Sequence, residues 1–92
     1  MDSKTEELLA SIRGLARTIR KETQLPVGYS EKLHCPAAGS PVDVTVSVRL
    51  ESGQFQWWHG SENPISDLDT TIEVMHEQML AWVVARRKEK AA

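Results

Sequence analysis

The segment Val42-Asp43-Val44-Thr45-Val46-Ser47-Val48-Arg49-Leu50 alternates an aliphatic with a polar residue at every step. Successive side chains of a strand point to opposite faces, so this pattern specifies a β-strand with one dry face and one wet face. Such a strand cannot stand alone. Its valine row needs neighbouring strands for the backbone and a second layer for the side chains.

The flanking sequence supplies both. Before this strand, Val27, Tyr29, Leu33 and Cys35 alternate with Gly28, Ser30, Lys32 and His34, which predicts a first strand. The prolines and glycine of Pro36-Ala37-Ala38-Gly39-Ser40-Pro41 mark the connecting loop. After it, Ser52-Gly53 has the composition of a tight two-residue hairpin turn. That turn would set Leu50 opposite Phe55 and Val48 opposite Trp57 on the apolar face. By the same register Arg49 faces Gln56, Ser47 faces Trp58, and Trp58 stands on the polar face.

Two amphipathic helices bracket the strands. From Ser3 to Thr23, the residues Leu8, Leu9, Ile12, Leu15, Ala16 and Ile19 recur at helical spacing. Ser3 and Glu6 have capping-box spacing at the start, and Pro26 disfavours helix at Leu25, so the end is expected near Glu22 or Thr23. The last element places Leu68, Ile72, Met75, Met79, Trp82 and Val83 on one stripe, with a start at Asn63 or Ser66. Carboxylates crowd its first half and Arg86, Arg87, Lys88 and Lys90 its end, as the helix dipole favours. Leu80-Ala81-Trp82-Val83-Val84-Ala85 is apolar on nearly every side, so part of that turn calls for cover from the sheet, the first helix or a partner chain.

The expected fold is therefore α+β: one domain over residues 1–92, in αβββα order, with a three-stranded antiparallel sheet and both helices on one face. The expected core is Leu8, Ile12, Leu15, Ile19, Val44, Val46, Val48, Phe55, Trp57, Leu68, Ile72, Met75 and Met79. The chain of 92 residues carries 11 Lys and Arg against 13 Asp and Glu, and a net charge of -2 gives no global attraction to nucleic acid or anionic membrane. The N-terminus has no basic and apolar leader, and no apolar stretch is long enough to span a bilayer. The single cysteine excludes an internal disulfide. A soluble, unprocessed protein of a reducing cytosol is expected.

The residues do not assemble a reaction centre. His34 and Cys35 are adjacent and would point to opposite faces of a strand, and His59 and His76 add no metal-ligand spacing. Asp69, Glu73 and Glu77 read as a solvated helix face, and no glycine-rich phosphate loop is present. No cofactor, no metal and no enzymatic activity are expected.

Two groups of residues suggest contacts instead. Arg13, Arg17 and Arg20 form a stripe on the first helix with Lys21 beside it, suited to phosphate or carboxylate, or else to an ordinary solvated face. Trp58 with Arg49 and Gln56 on the polar sheet face has the composition of an interface hot spot, unless a loop folds over the indole. The order of elements matches the double-stranded RNA-binding domain. The acidic Ser61-Glu62-Asn63-Pro64-Ile65-Ser66-Asp67-Leu68-Asp69 stands where that family presents lysines to phosphate, so the likeness stops at topology.

Taken whole, from Met1-Asp2-Ser3-Lys4-Thr5-Glu6-Glu7 through Phe55-Gln56-Trp57-Trp58-His59 to Val83-Val84-Ala85-Arg86-Arg87-Lys88, the chain resembles the small phage-encoded anti-CRISPR proteins. It is most like an inhibitor of the type I-F system. The resemblance implies a non-enzymatic protein that binds subunits of a type I-F crRNA-guided surveillance complex, with or without its guide RNA, in the host bacterial cytoplasm. It would block hybridisation or recruitment of target DNA and bind free DNA weakly or not at all. Many such inhibitors are acidic DNA mimics; a net charge of -2 departs from that pattern and favours mixed contacts. The partner-binding residues expected from the sequence are Arg13, Arg17, Arg20, Lys21, Arg49, Gln56 and Trp58. Two other classes remain open: a small nucleic-acid-binding or regulatory accessory protein, and a homodimerising structural module.

Overall fold

The computed structural model describes residues 3–33, 42–62 and 70–91. Its elements follow in the order α1 (Ser3–Thr23), β1 (Val27–Leu33), β2 (Val42–Arg49), β3 (Phe55–Ser61) and α2 (Ile72–Ala91). The strands form an antiparallel sheet in the order β1-β2-β3. Both helices lie on one face, α1 over β1 and α2 over β3, and they touch each other along their length. This is the α+β architecture that the one-sided strand demands.

The valine row is the centre of the core. Val42, Val44, Val46 and Val48 are all buried, as are Leu9, Ile12, Ala16 and Ile19 of α1 and Ile72, Met75, Met79 and Val83 of α2. Leu8 and Leu15, expected inside, only pack against its edge. Full burial of an aliphatic side chain contributes about 1.5–3 kcal/mol, so this cluster carries most of the favourable free energy of folding.

Local signals end each helix. Gln24 adopts a left-handed backbone (φ 59°) and its N–H donates to the Arg20 carbonyl at 2.8 Å. The Thr23 hydroxyl donates to Ile19 O at 2.6 Å and accepts from the Leu25 N–H at 3.2 Å, and Pro26 then prevents continuation. At the start of α2, Thr71 Oγ1 accepts the Val74 N–H at 3.1 Å, which caps the first turn. The helix thus begins at Ile72, later than Asn63 or Ser66. The cause is a tertiary bond: the Ser61 N–H donates to Thr70 O at 2.8 Å, and Ser61 and Thr71 form a parallel bridge that holds this segment extended. Both expected caps, with Leu68, His34, Cys35 and the Pro36 to Pro41 loop, lie outside the described residues.

The main correction concerns the β2–β3 hairpin. The Leu50 N–H donates to Gln54 O at 2.7 Å and the Gly53 N–H to Leu50 O at 2.9 Å, so the loop holds Glu51, Ser52 and Gly53 rather than two residues. Gly53 has φ 90°, the left-handed residue that closes a three-residue turn with a bulge. One added loop residue moves every side chain of β3 to the other face. Arg49 pairs with Phe55, Val48 with Gln56, Ser47 with Trp57 and Val46 with Trp58. Trp58 is consequently buried (5% exposed), whereas Phe55 and Trp57, expected in the core, are 52% and 59% exposed.

Trp58 packs edge-to-face on Trp82 of α2, with centroids 5.5 Å apart and planes at 79°. The Arg86 guanidinium lies 5.3 Å from the centre of the Trp82 ring and pairs with Glu51 in the hairpin turn. Two residues beyond Trp58 on the same face, a Cβ added at Gly60 would lie 2.9 Å from Ile72 Cα and 3.0 Å from Met75. Helix α2 therefore rests directly on the β3 backbone. The helices run parallel: Lys4 pairs with Glu73 at their starts (3.4 Å) and Arg87 with Glu22 at their ends (2.7 Å).

Denaturant unfolding checks the register. Trp58→Ala is expected to cost about 3–5 kcal/mol by leaving a large cavity, and Trp57→Ala less than about 1 kcal/mol. Gly53→Ala, which forces an L-residue into the left-handed region, is expected to cost about 1–2 kcal/mol in the same assay with no loss of far-ultraviolet dichroism in the folded state.

Candidate binding surface

A three-stranded sheet covered on one side leaves its other side open. That open face is built from alternate residues of each strand: Gly28, Ser30 and Lys32 of β1, Asp43, Thr45, Ser47 and Arg49 of β2, and Phe55, Trp57 and His59 of β3, whereas Ser61, next in the alternation, is buried. The pairing lays them out in rows. Gly28, Ser47 and Trp57 form one row, and Ser30, Thr45 and His59 the next. The β1 and β2 positions beside Trp57 are thus occupied by glycine and serine, and the floor next to the indole is low. A Cβ at Gly28 would approach Ser47 Oγ to 2.8 Å, so this row is also closely packed.

Phe55 and Trp57 are two residues apart on one strand and therefore share a face. Their ring centroids lie 5.6 Å apart at 33°, a tilted pair projecting from an edge strand. Exposed aromatic pairs are uncommon on a monomer surface, because they forgo the burial that most stabilises such side chains. Polar groups surround them. Arg49, paired across the strands with Phe55, is exposed, and His59 Nε2 lies 3.8 Å from Asp43 Oδ1. Exposed Lys32 completes a face of mixed charge, with an aromatic ridge along one side and small hydroxyl-bearing residues beside it.

The basic stripe of α1 forms a second surface. Arg13, Arg17 and Arg20 line a groove of about 260 Å³ between α1 and β1, with Ala16, Val27 and Tyr29 as its floor. Lys21 is exposed but does not line it. Arg13 is already engaged: its guanidinium donates to Glu31 at 2.6 and 3.0 Å, and the Tyr29 hydroxyl donates to the same carboxylate. Burial and then the Glu31 carboxylate push the Tyr29 phenol up to about 12. For Glu31, burial alone would raise the pKa, but the hydrogen bonds from Tyr29 and Arg13 outweigh it and hold the carboxyl below its ordinary range. The acidic neighbour absent from α1 itself comes from β1, and Arg17 and Arg20 line the groove without an ion pair among the described residues.

Of the residues expected to contact a partner, Arg49 stands on the open face and Arg17 and Arg20 in the groove. Trp58 and Gln56 do not belong to either surface, since the hairpin turn places both on the helix-covered side. Trp58 is core, and half-buried Gln56 donates Nε2 to the Trp57 carbonyl at 3.3 Å. Phe55 and Trp57 stand exposed on the open face instead. The signal that could have identified them was Glu51-Ser52-Gly53 read as a type I turn closed by a left-handed glycine. Among the described residues no cluster of His, Cys, Asp and Glu could hold a metal ion. None of the described helices is long and apolar enough to cross a membrane. Set against models of protein families, curated proteins and solved structures, the chain matches none.

The one tyrosine of the chain allows the groove to be read directly. A phenol raised from about 10 to about 12 on folding stabilises the fold below its unfolded value, and that contribution is lost as pH climbs through the folded one. Tyrosinate absorbance of the native protein is expected to reach its midpoint near 12. Glu31→Gln is expected to lower that midpoint part of the way, leaving the share due to burial.

Proposed function

We propose that the chain is a non-enzymatic inhibitor that binds a type I-F crRNA-guided surveillance complex and blocks hybridisation or recruitment of target DNA, docking through the uncovered sheet face. The observation that carries this reading is the exposed Phe55–Trp57 pair on that face, beside Arg49. Aromatic and arginine side chains dominate binding energy at protein interfaces, and a broad, nearly flat face suits a macromolecular surface better than a small substrate, which needs concavity. The resemblance of the whole chain to anti-CRISPR proteins supplies the class of partner and the bacterial cytoplasm as its setting. Mixed charge supports protein contact over mimicry of DNA: Lys32 and Arg49 share the face with Asp43.

A second reading has its own support. The low Gly28–Ser47 floor leaves space beside the Trp57 ring where a nucleobase could stack, with Arg49 on the neighbouring strand close to its phosphate. A small single-strand-binding accessory protein would use the face in that way.

Titration of the protein into a purified type I-F surveillance complex, with target-DNA binding as readout, separates the two. A breakpoint at a fixed molar ratio, without turnover, is expected. Trp57→Ala is expected to weaken binding by about 2 kcal/mol, roughly thirty-fold, with thermal stability nearly unchanged. No inhibition at large molar excess would overturn the proposal, and tight, salt-sensitive binding of free single-stranded RNA or DNA would favour the second reading.

A further inference from the structure

Helix α2 buries Ile72, Met75, Met79 and Val83 against the sheet and α1. Its opposite side is nearly as apolar. Val74, Leu80 and Val84 are 41%, 44% and 42% exposed, and Ala81 and Ala85 beside them are exposed as well. A surface helix ordinarily turns charge to water on that side, yet from Leu80 to Ala85 this one presents none. Neither the sheet nor α1 covers it.

At about 100° per residue, Glu77, Ala81, Val84 and Lys88 fall within one stripe about 60° wide, with Val74 and Leu80 on opposite flanks. The stripe is complementary to itself. About a two-fold axis level with Trp82 and Val83, an antiparallel copy brings Ala81 against Val84 and Glu77 against Lys88, with Leu80 beside its own counterpart on one flank. An apolar centre is then closed at both ends by an ion pair, and small Ala81 lets the helix axes approach. Charge bookkeeping within the chain points the same way. Glu73 pairs with Lys4, Arg86 with Glu51 and Arg87 with Glu22. Glu77 and Lys88, the two charges bordering the apolar stripe, have no ion pair or side-chain hydrogen bond among the described residues.

We infer that the outer face of α2 pairs with α2 of a second copy, antiparallel and two-fold symmetric, through Ala81 and Val84 flanked by Glu77–Lys88 pairs. A single helix-to-helix contact of this length belongs at the small end of specific interfaces, so the dimer is weak and reversible. Both helices lie on one side of the sheet, so back-to-back pairing turns the two open faces outward in opposite directions. Where the reading of the open face under Proposed function holds, the dimer is bivalent and gains avidity on a target that repeats its binding surface.

Sedimentation of the full chain across a wide concentration range tests the pairing without any target, so it can fail or succeed apart from the inhibition assay. The unmodified protein is expected to pass from monomer to dimer. Glu77→Lys puts a lysine opposite Lys88, and Lys88→Glu puts a glutamate opposite Glu77. Each variant alone is expected to dimerise at least tenfold more weakly, with unchanged circular dichroism. An equimolar mixture of the two variants restores opposite charges at both ends and is expected to recover dimer at the original concentration. The doubly swapped chain is expected to behave like the unmodified one. A monomer at every concentration, a dimer indifferent to both single variants, or single-variant losses that neither mixing nor the double swap repairs would each overturn the inference.

Discussion

The left-handed backbone at Gly53 governs more of this molecule than any side chain does, because it sets the length of the hairpin loop and therefore the face on which each residue of β3 stands. With three residues in the loop, Trp58 turns inward over Val46 and meets Trp82, while Trp57 turns outward. Contacts on α2 reinforce that choice. Arg86 lies against the Trp82 ring and reaches Glu51 in the turn itself, so the turn, the buried indole and the helix form one connected unit. A hairpin one residue shorter would put Trp58 in water and turn Phe55 and Trp57 toward the helices.

The sheet then has two characters. On its covered side, valines, methionines and Trp58 exclude water, and Gly60 lets the first turn of α2 sit on the strand. On its open side, an aromatic ridge stands beside small and charged residues. Rigid strands hold that ridge in place, so a partner meeting it orders few new groups, which keeps the entropic cost of binding low. The core stabilises the fold, and the open face is available for recognition.

Exposed ion pairs knit the outer layer: Lys4 with Glu73, Arg13 with Glu31, Arg87 with Glu22. Pairs this accessible each contribute little to stability. Their structural effect is to set which charges are spent within the chain and which remain for others. Arg13 is spent on Glu31, while Arg17 and Arg20 stay open to the groove. The outer stripe of α2 keeps Glu77 and Lys88 at the two ends of an uncharged span.

Much of this was legible in the residues themselves. Alternation in Val42 to Leu50 and helical spacing in Leu8, Leu9, Ile12, Leu15, Ala16 and Ile19 report local geometry, and local geometry follows from which side chains must leave water, though that Leu9 and Ala16 rather than Leu8 and Leu15 sit deepest was decided by packing. The αβββα order, the valine core, the inward stripe of Ile72, Met75, Met79 and Val83, and the surplus apolar surface near Leu80 to Ala85 could all be derived in that way. Identity of the exposed aromatic residues could not. Trp57-Trp58 offers an indole to either face, and the choice rests on a single loop residue whose conformation the hydrophobic pattern does not encode. The start of α2 was equally hidden, since the bond from Ser61 to Thr70 joins segments that only the folded sheet brings together. The same holds for Arg13, whose neutralising carboxylate arrives from β1. Periodicity along the chain determined which elements form and which faces they bury. Register and partner contacts depend on distances between elements, and those were decided only when the sheet closed and the helices settled on it.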